Sequence, residues 1–175
     1  MLVDIDLRRP MIEVLFSGET SAKPGITDYF LGHNPLKEIC LQHRDVPNLS
    51  WIAAGKMVPN PAELLSLSDI QQLIDDALAH YDRIVIDSAP LLSVSDTLLL
   101  VGKVQTVVLV VQGCKTSRRI AEHGVELLKT ANAPLDGIVL NQMPKRSLNG
   151  YYHFGYGYEH YGRKEAKPKL AKVAI

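Results

Sequence analysis

Apolar residues are distributed along this chain in two rhythms. Ile84, Val85 and Ile86 are adjacent and β-branched, which predicts a strand covered on both faces. Asp87 follows where that strand would emerge at its carboxyl end, and Pro90 stops it. Thr106–Gln112 (TVVLVVQ) reads as a second fully buried strand, and Gly137–Asn141 (GIVLN) as a third that ends in an amide. Leu2 and Val3 open the chain as a strand without cap or polar lead. Asn48–Ala53 alternates enough to be another.

Helical spacing lies between these runs. Leu64, Leu65, Leu67, Ile70, Leu73, Ile74, Ala77 and Leu78 predict one helix from Pro61 to about His80, with the proline in its first turn. Thr116–Thr130 is amphipathic, with Ile120, Val125, Leu127 and Leu128 on one face and mostly charged residues on the other. After the turn Lys23-Pro24-Gly25, Ile26–Leu31 predicts a short helix started by Thr27 or Asp28. Pro35–Cys40 reads as a helical turn, and Asp96–Val101 as a short apolar helix or turn. Strand, helix, strand, helix, strand with short links predicts an α/β fold, a mostly parallel sheet flanked by helices.

Composition narrows the function classes. At 175 residues, with 46% hydrophobic and 22% charged positions, the chain supports one ordinary globular core. Lys+Arg 19 balances Asp+Glu 19, so no overall field draws it to nucleic acid or acidic lipid, and no nucleic-acid partner is expected. Cys40 and Cys114 lie far apart without metal-binding spacing, which favours core positions and a reducing compartment. No signal peptide is recognisable, and the apolar region around Leu98–Gln112 is interrupted by Gly102, Lys103 and Gln105. Because residue 1 already reads as strand interior, a segment upstream is expected.

The polar residues that interrupt these strands carry the candidate chemistry. Asp4 and Asp6 close the first strand, and Arg8, Arg9 and Pro10 follow at once. This group is either a solvated turn with ordinary ion pairs or part of a site. Asp87 likewise has two readings: a cap for the next turn, or an acid at the sheet edge where ligands bind in parallel α/β folds. From Lys145 onward the sequence changes character. Gly150, Gly155, Gly157 and Gly162 interleave with Tyr151, Tyr152, Tyr156, Tyr158 and Tyr161, and the end carries Arg163, Lys164, Lys167, Lys169 and Lys172. So many glycines erase both periodicities, which predicts a core over 1–144 and a flexible tyrosine-rich tail over 145–175.

Taken together, LVDIDLRRP, PNPAELL, YDRIVIDSAP, GIVLN and the tyrosine-rich tail resemble the bacterial tyrosine kinases (BY-kinases) of capsule and exopolysaccharide export. These belong to the P-loop ATPase class related to the partitioning ATPases. The resemblance covers nearly the whole chain in order and makes LVDIDLRRP the Walker A-prime segment and IVIDSAP the Walker B segment. It implies ATP and Mg²⁺ as cofactors. Asp4 and Asp87 would position the ion, partly through water, and Asp4 or Asp6 would accept the proton of an incoming tyrosine. Arg8 would contact phosphate or the neighbouring acids, as would Arg9, and Asn141 would meet the adenine edge. The tail tyrosines would be the phosphoacceptors, modified between neighbouring subunits of a homo-oligomer. A membrane chain-length or export activator would be the partner, placing the chain in the cytoplasm at the inner face of the plasma membrane.

One departure bears on all of this. No G-x-x-x-x-G-K-[ST] occurs: Gly55-Lys56 is followed by Met57, and Gly102-Lys103 by Val104. That loop would supply the backbone N–H cradle, the phosphate lysine and the hydroxyl ligand for magnesium. The fold expected is therefore P-loop NTPase-like but N-terminally incomplete, and this chain alone is expected to bind ATP weakly or not at all. Two other readings stay open: a non-catalytic regulatory or substrate partner of an intact kinase, and a partitioning-type ATPase, against which the tail argues.

Overall fold

The computed structural model describes residues 1–18 and 23–143. Four strands form one sheet: β1 (Leu2–Asp4), β2 (Cys40–Gln42), β3 (Ser50–Ile52) and β4 (Val85–Asp87), in the order β2-β3-β1-β4. β1 runs parallel to both β3 and β4, and only β2 is antiparallel. β5 (Val107–Gln112) and β6 (Leu135–Asn141) pair in parallel as a separate two-stranded sheet. The mixed, mostly parallel α/β architecture expected from the alternation is present.

The core lies on one face of the larger sheet. Met1, Val3, Ile5 and Leu7 alternate onto that face, a period of two that puts every second side chain on the same side. They pack with Ile26 of α2 (Ile26–Phe30), Leu36 and Ile39 of α3 (Leu36–Ile39), and Leu65 of α4 (Pro61–Leu67). Ile70, Leu73, Ile74 and Ala77 of α5 (Ile70–Leu78) complete the layer. On the opposite face α1 (Ile12–Ser17) lays Ile12 against Trp51 and Ala53. The start of α2 abuts the segment that leaves β3: Ile26 N–H donates to the Ala53 carbonyl at 2.8 Å and Thr27 N–H to that of Ala54 at 3.1 Å. A Cβ on Gly25 would collide with the backbone of Gly55, which itself sits at φ +83°, so both positions require glycine.

Several expectations are corrected. The helix predicted from Pro61 to about His80 is two helices, broken where Ser68 takes an extended conformation and Asp69 caps α5 through the Gln72 amide at 2.9 Å. A local N-cap outcompetes continued helix because it satisfies an otherwise orphaned donor. α2 starts at Ile26 with Gly25 as its cap, ahead of Thr27 and Asp28. Cys40, expected in a helical turn, begins β2.

The three apolar runs are not buried on both faces: Val85, Val108, Val110, Ile138, Val139 and Leu140 are exposed. The reason is cover. α7 (Arg118–Thr130) packs on β5 from one side, with Gly124 facing Leu109 and Leu91, and the alternate residues of β5 meet no second layer among the described residues. α6 (Leu98–Val101) falls within the predicted Asp96–Val101 stretch. Residues 145–175, where the tail was expected, lie outside the described residues.

Candidate nucleotide-facing acidic rim

Parallel pairing of β1 with β4 puts Asp4 directly across from Asp87 in the register, both at the carboxyl ends of their strands. The ladder runs one step further, with Ile5 N–H donating to the Asp87 carbonyl at 2.8 Å. Two acids 83 positions apart in sequence therefore share one rim, and Asp6 stands close enough to raise the Asp87 carboxyl by its charge. Such a rim is where open parallel sheets bind ligands.

The three carboxylates are not equivalent. Asp4 is completely buried. Its Oδ1 accepts the Asp6 amide at 3.1 Å, and its Oδ2 accepts the amides of Met11 and Ile12, each at 3.1 Å. α1 has no side-chain cap from its own N-cap residue, Met11. Asp4 fills that role from seven positions upstream, satisfying donors that a helix start leaves open. Desolvation lifts its pKa from 3.8 to about 6; the Asp87 charge adds to the rise and the three amides hold it back. Asp6 is half-buried and its Oδ1 accepts the amides of Arg8 and Arg9 at 3.1 and 3.0 Å. No described residue bonds its Oδ2. Asp87 is also half-buried, and its pKa is raised by desolvation and then by Asp6, against the Ser88 amide.

Arg8 is committed elsewhere. Its Nε and Nη2 reach the two oxygens of Asp96 at 2.6 and 3.1 Å, a fork-on-carboxylate pair. The Arg9 side chain is exposed. Asn141 pairs with Gln112 at the end of β6, on the smaller sheet, where its side-chain oxygen accepts the Gln142 amide at 2.8 Å. The fold thus brings Asp4, Asp6, Asp87, Arg8 and Arg9 into one neighbourhood, with Asn141 on a separate sheet. Tyr151, Tyr152, Tyr156, Tyr158 and Tyr161 lie outside the described residues.

Asp96 was missed by the sequence reading. It is buried to 3% exposure, and the only signal for it was an acid placed two positions before an apolar run.

Among the described residues no group of three or more His, Cys, Asp or Glu side chains could hold a metal ion by itself. Magnesium does not ask for that, being bound by one or two carboxylates together with substrate phosphates. Half-buried Asp87 and Asp6, close enough for their charges to interact, fit such an ion. Asp4, with both oxygens on backbone amides, fits the task of holding the rim in shape.

Known proteins share this fold. No family model matches the chain. The tyrosine-protein kinase YwqD of Bacillus subtilis is 32% identical over 87% of this chain and 64% of its own. EpsB of Ralstonia nicotianae, also named as a tyrosine-protein kinase, is 32% identical over 93% of this chain. The chain spans about a fifth of the length of EpsB (21%). Among solved structures, the VpsO kinase domain superposes with a TM-score of 0.75 at 34% identity, covering 82% of this chain and 70% of that one. The fold extends to the septum site-determining protein MinD of Pyrococcus horikoshii, complexed with Mg-ADP, at a TM-score of 0.58 and 15% identity. With its paired acids at the ends of β1 and β4 and this likeness across most of its length, the chain belongs to the bacterial tyrosine-protein kinases.

Proposed function

We propose that this chain carries the metal-facing half of an ATP-dependent protein tyrosine autokinase that regulates exopolysaccharide or capsule synthesis and export. The observation that carries the proposal is the Asp4–Asp87 register pair with Asp6 beside it. Mg²⁺, when bound with ATP, would neutralise charge on the phosphoryl group being transferred. Asp87 and Asp6 would hold the ion at the rim. Asp4 would keep the loop between β1 and α1 in position through its three amide bonds.

A tyrosine hydroxyl has a pKa of about 10, so it needs a nearby acceptor. Asp6 offers one through its unbonded Oδ2. The acceptors would be Tyr151, Tyr152, Tyr156, Tyr158 and Tyr161, since the other two tyrosines are engaged within the fold. Tyr29 donates to Asp76 at 2.8 Å, and the Tyr81 hydroxyl lies 3.1 Å from the Cys40 sulfur. Each phosphate would add about −1.5 to −2 charges, so tails would be repelled from one another and from the acidic rim. Such repulsion would loosen a homo-oligomer docked on a membrane activator. The proposed setting is the cytoplasmic face of the membrane, reached through that partner. No helix among the described residues is long and apolar enough to cross a membrane.

A second reading makes the chain a substrate or regulatory partner of an intact kinase, with the tyrosines between positions 151 and 161 as the groups presented to it. Two measurements separate the readings. Calorimetric titration with Mg-ATP should give weak or no binding to this chain alone; micromolar affinity would show that the glycine-rich loop is dispensable here. Mass spectrometry after mixing with an intact family kinase should then find phosphate on the tail tyrosines. An unmodified tail would remove the acceptor role.

A further inference from the structure

Arg8 and Asp96 are 88 residues apart in sequence, and each lies on the segment that follows one of the two acid-bearing strands. Arg8 comes four positions after Asp4, and Asp96 nine after Asp87. They meet through both guanidinium contacts described above, and Asp96 keeps only 4% of its side chain exposed against 41% for Arg8. A carboxylate this buried needs a paired cation. Two parallel bonds also fix the direction of the fork, which a single ammonium contact would not.

Both ends of the contact are tied back to the rim. The Arg8 amide donates to Asp6 Oδ1, so holding Arg8 holds Asp6. On the other side, the Thr97 hydroxyl donates to the Ala89 carbonyl and Ser93 N–H to that of Pro90, closing the connection that leaves Asp87. The pairing commits the guanidinium hydrogen bonds of Arg8 to Asp96, while its charge still reaches Asp6 across space.

We propose that Arg8 and Asp96 form a latch between the segments after β1 and β4 that sets the spacing of Asp6 and Asp87. Arg8 is then a positioning residue of the acidic rim and not a phosphate ligand. The importance of that spacing rests on the reading of the rim as metal-facing, whereas the latch itself does not.

The test uses the full chain with Arg8→Gln, Arg8→Lys, Asp96→Asn and the Arg8→Gln/Asp96→Asn double variant, each checked for folding by circular dichroism. One readout is amide hydrogen exchange without metal; the other is Mn²⁺ affinity by electron paramagnetic resonance. Arg8→Gln and Asp96→Asn should each speed exchange in both segments, 5–11 and 88–97, while β1 and β3 stay protected. Each should weaken Mn²⁺ binding by about tenfold, the scale of lost support behind a metal ligand. The double variant should be no worse than either single one, as expected of partners in one contact. Arg8→Lys keeps the charge without the fork and should fall between. A general structural role would lower the melting temperature and leave the Mn²⁺ affinity of the folded protein unmoved.

Faster exchange across the whole four-stranded sheet, a change in one segment alone, or additive effects would overturn the latch. So would unchanged Mn²⁺ affinity in variants of a chain that binds the ion. Should Asp96→Asn fail to fold, Arg8→Lys, altered at a half-exposed side chain, decides on the same two readouts. A wild-type chain that ignores Mn²⁺ yet shows the two-segment exchange would sink the metal reading and leave the latch standing.

Discussion

The four-stranded and two-stranded halves are built from strands of similar composition and treat them in opposite ways. In the larger half Val3 and Ile52 are completely buried and Ile5 nearly so, with α2–α5 on one face of the sheet and α1 on the other, and Val85 on the edge strand β4 is the exception at 46% exposed. In the smaller half Val108 and Val110 are 48% and 40% exposed, and Ile138, Val139 and Leu140 reach 49–55%. α7 supplies one buried contact layer, through Gly124 and Leu128, and nothing described covers the other face. β-Branched runs report that a strand can be buried; burial itself is conferred by the neighbouring layer. The acidic rim belongs wholly to the well-packed half, where a fixed backbone can hold carboxylates in register.

The contrast can be broken most directly by removing volume. Ile52→Ala, on an inner strand with no exposed surface, should cost about 3–4 kcal/mol in urea unfolding. A loss near that of a surface residue would mean the core is not where we place it. Asp4→Ala should cost about 2–3 kcal/mol, because the amides of Asp6, Met11 and Ile12 lose their acceptor. Exchange should rise first in α1, and uniform loss across the sheet would contradict the capping role.

A smaller effect is expected from pH. Folding raises the Asp4 pKa from 3.8 to about 6, so the folded state holds that proton more tightly than the unfolded chain does. The resulting stabilisation is complete below pH 3.8 and is lost as pH rises through 6. Asp87, also raised, works in the same direction. Acidifying from pH 7 to pH 5 should therefore stabilise the protein by about 1 kcal/mol through Asp4. Asp4→Asn should flatten that part of the melting-temperature profile, and a wild-type midpoint that falls over this interval would refute the assignment. Smallest of all, Val110→Thr in the exposed face of β5 should change stability by no more than about 0.5 kcal/mol. A cost like that of Ile52→Ala would show that this face is covered after all.

Much of the fold was legible along the chain because local periodicity and punctuation carry it. The amphipathic helix at 118–130, the strands at 50–52, 85–87 and 107–112, and the acids that close β1 and β4 all announce themselves within a few residues. α1 was not legible, since its cap is Asp4, outside any local window, and Ile12 is its only buried residue. The division of labour among the acids was equally hidden. Asp4, Asp6 and Asp87 look alike in sequence, and only the fold separates the fully buried Asp4, with both oxygens on backbone amides, from the half-buried Asp6 and Asp87.

By itself, then, the sequence determined the α/β alternation, the acids at strand ends, the resemblance to a kinase family and the absence of the phosphate-loop motif. These depend on residue types at short spacing, which the chain carries wherever it folds. The tertiary structure decided that Asp4 stands beside Asp87, that Arg8 belongs to Asp96, and that the smaller sheet wears its valines outside. Those outcomes depend on which distant segments come to share a surface, and no local pattern encodes a partner 80 or 90 positions away.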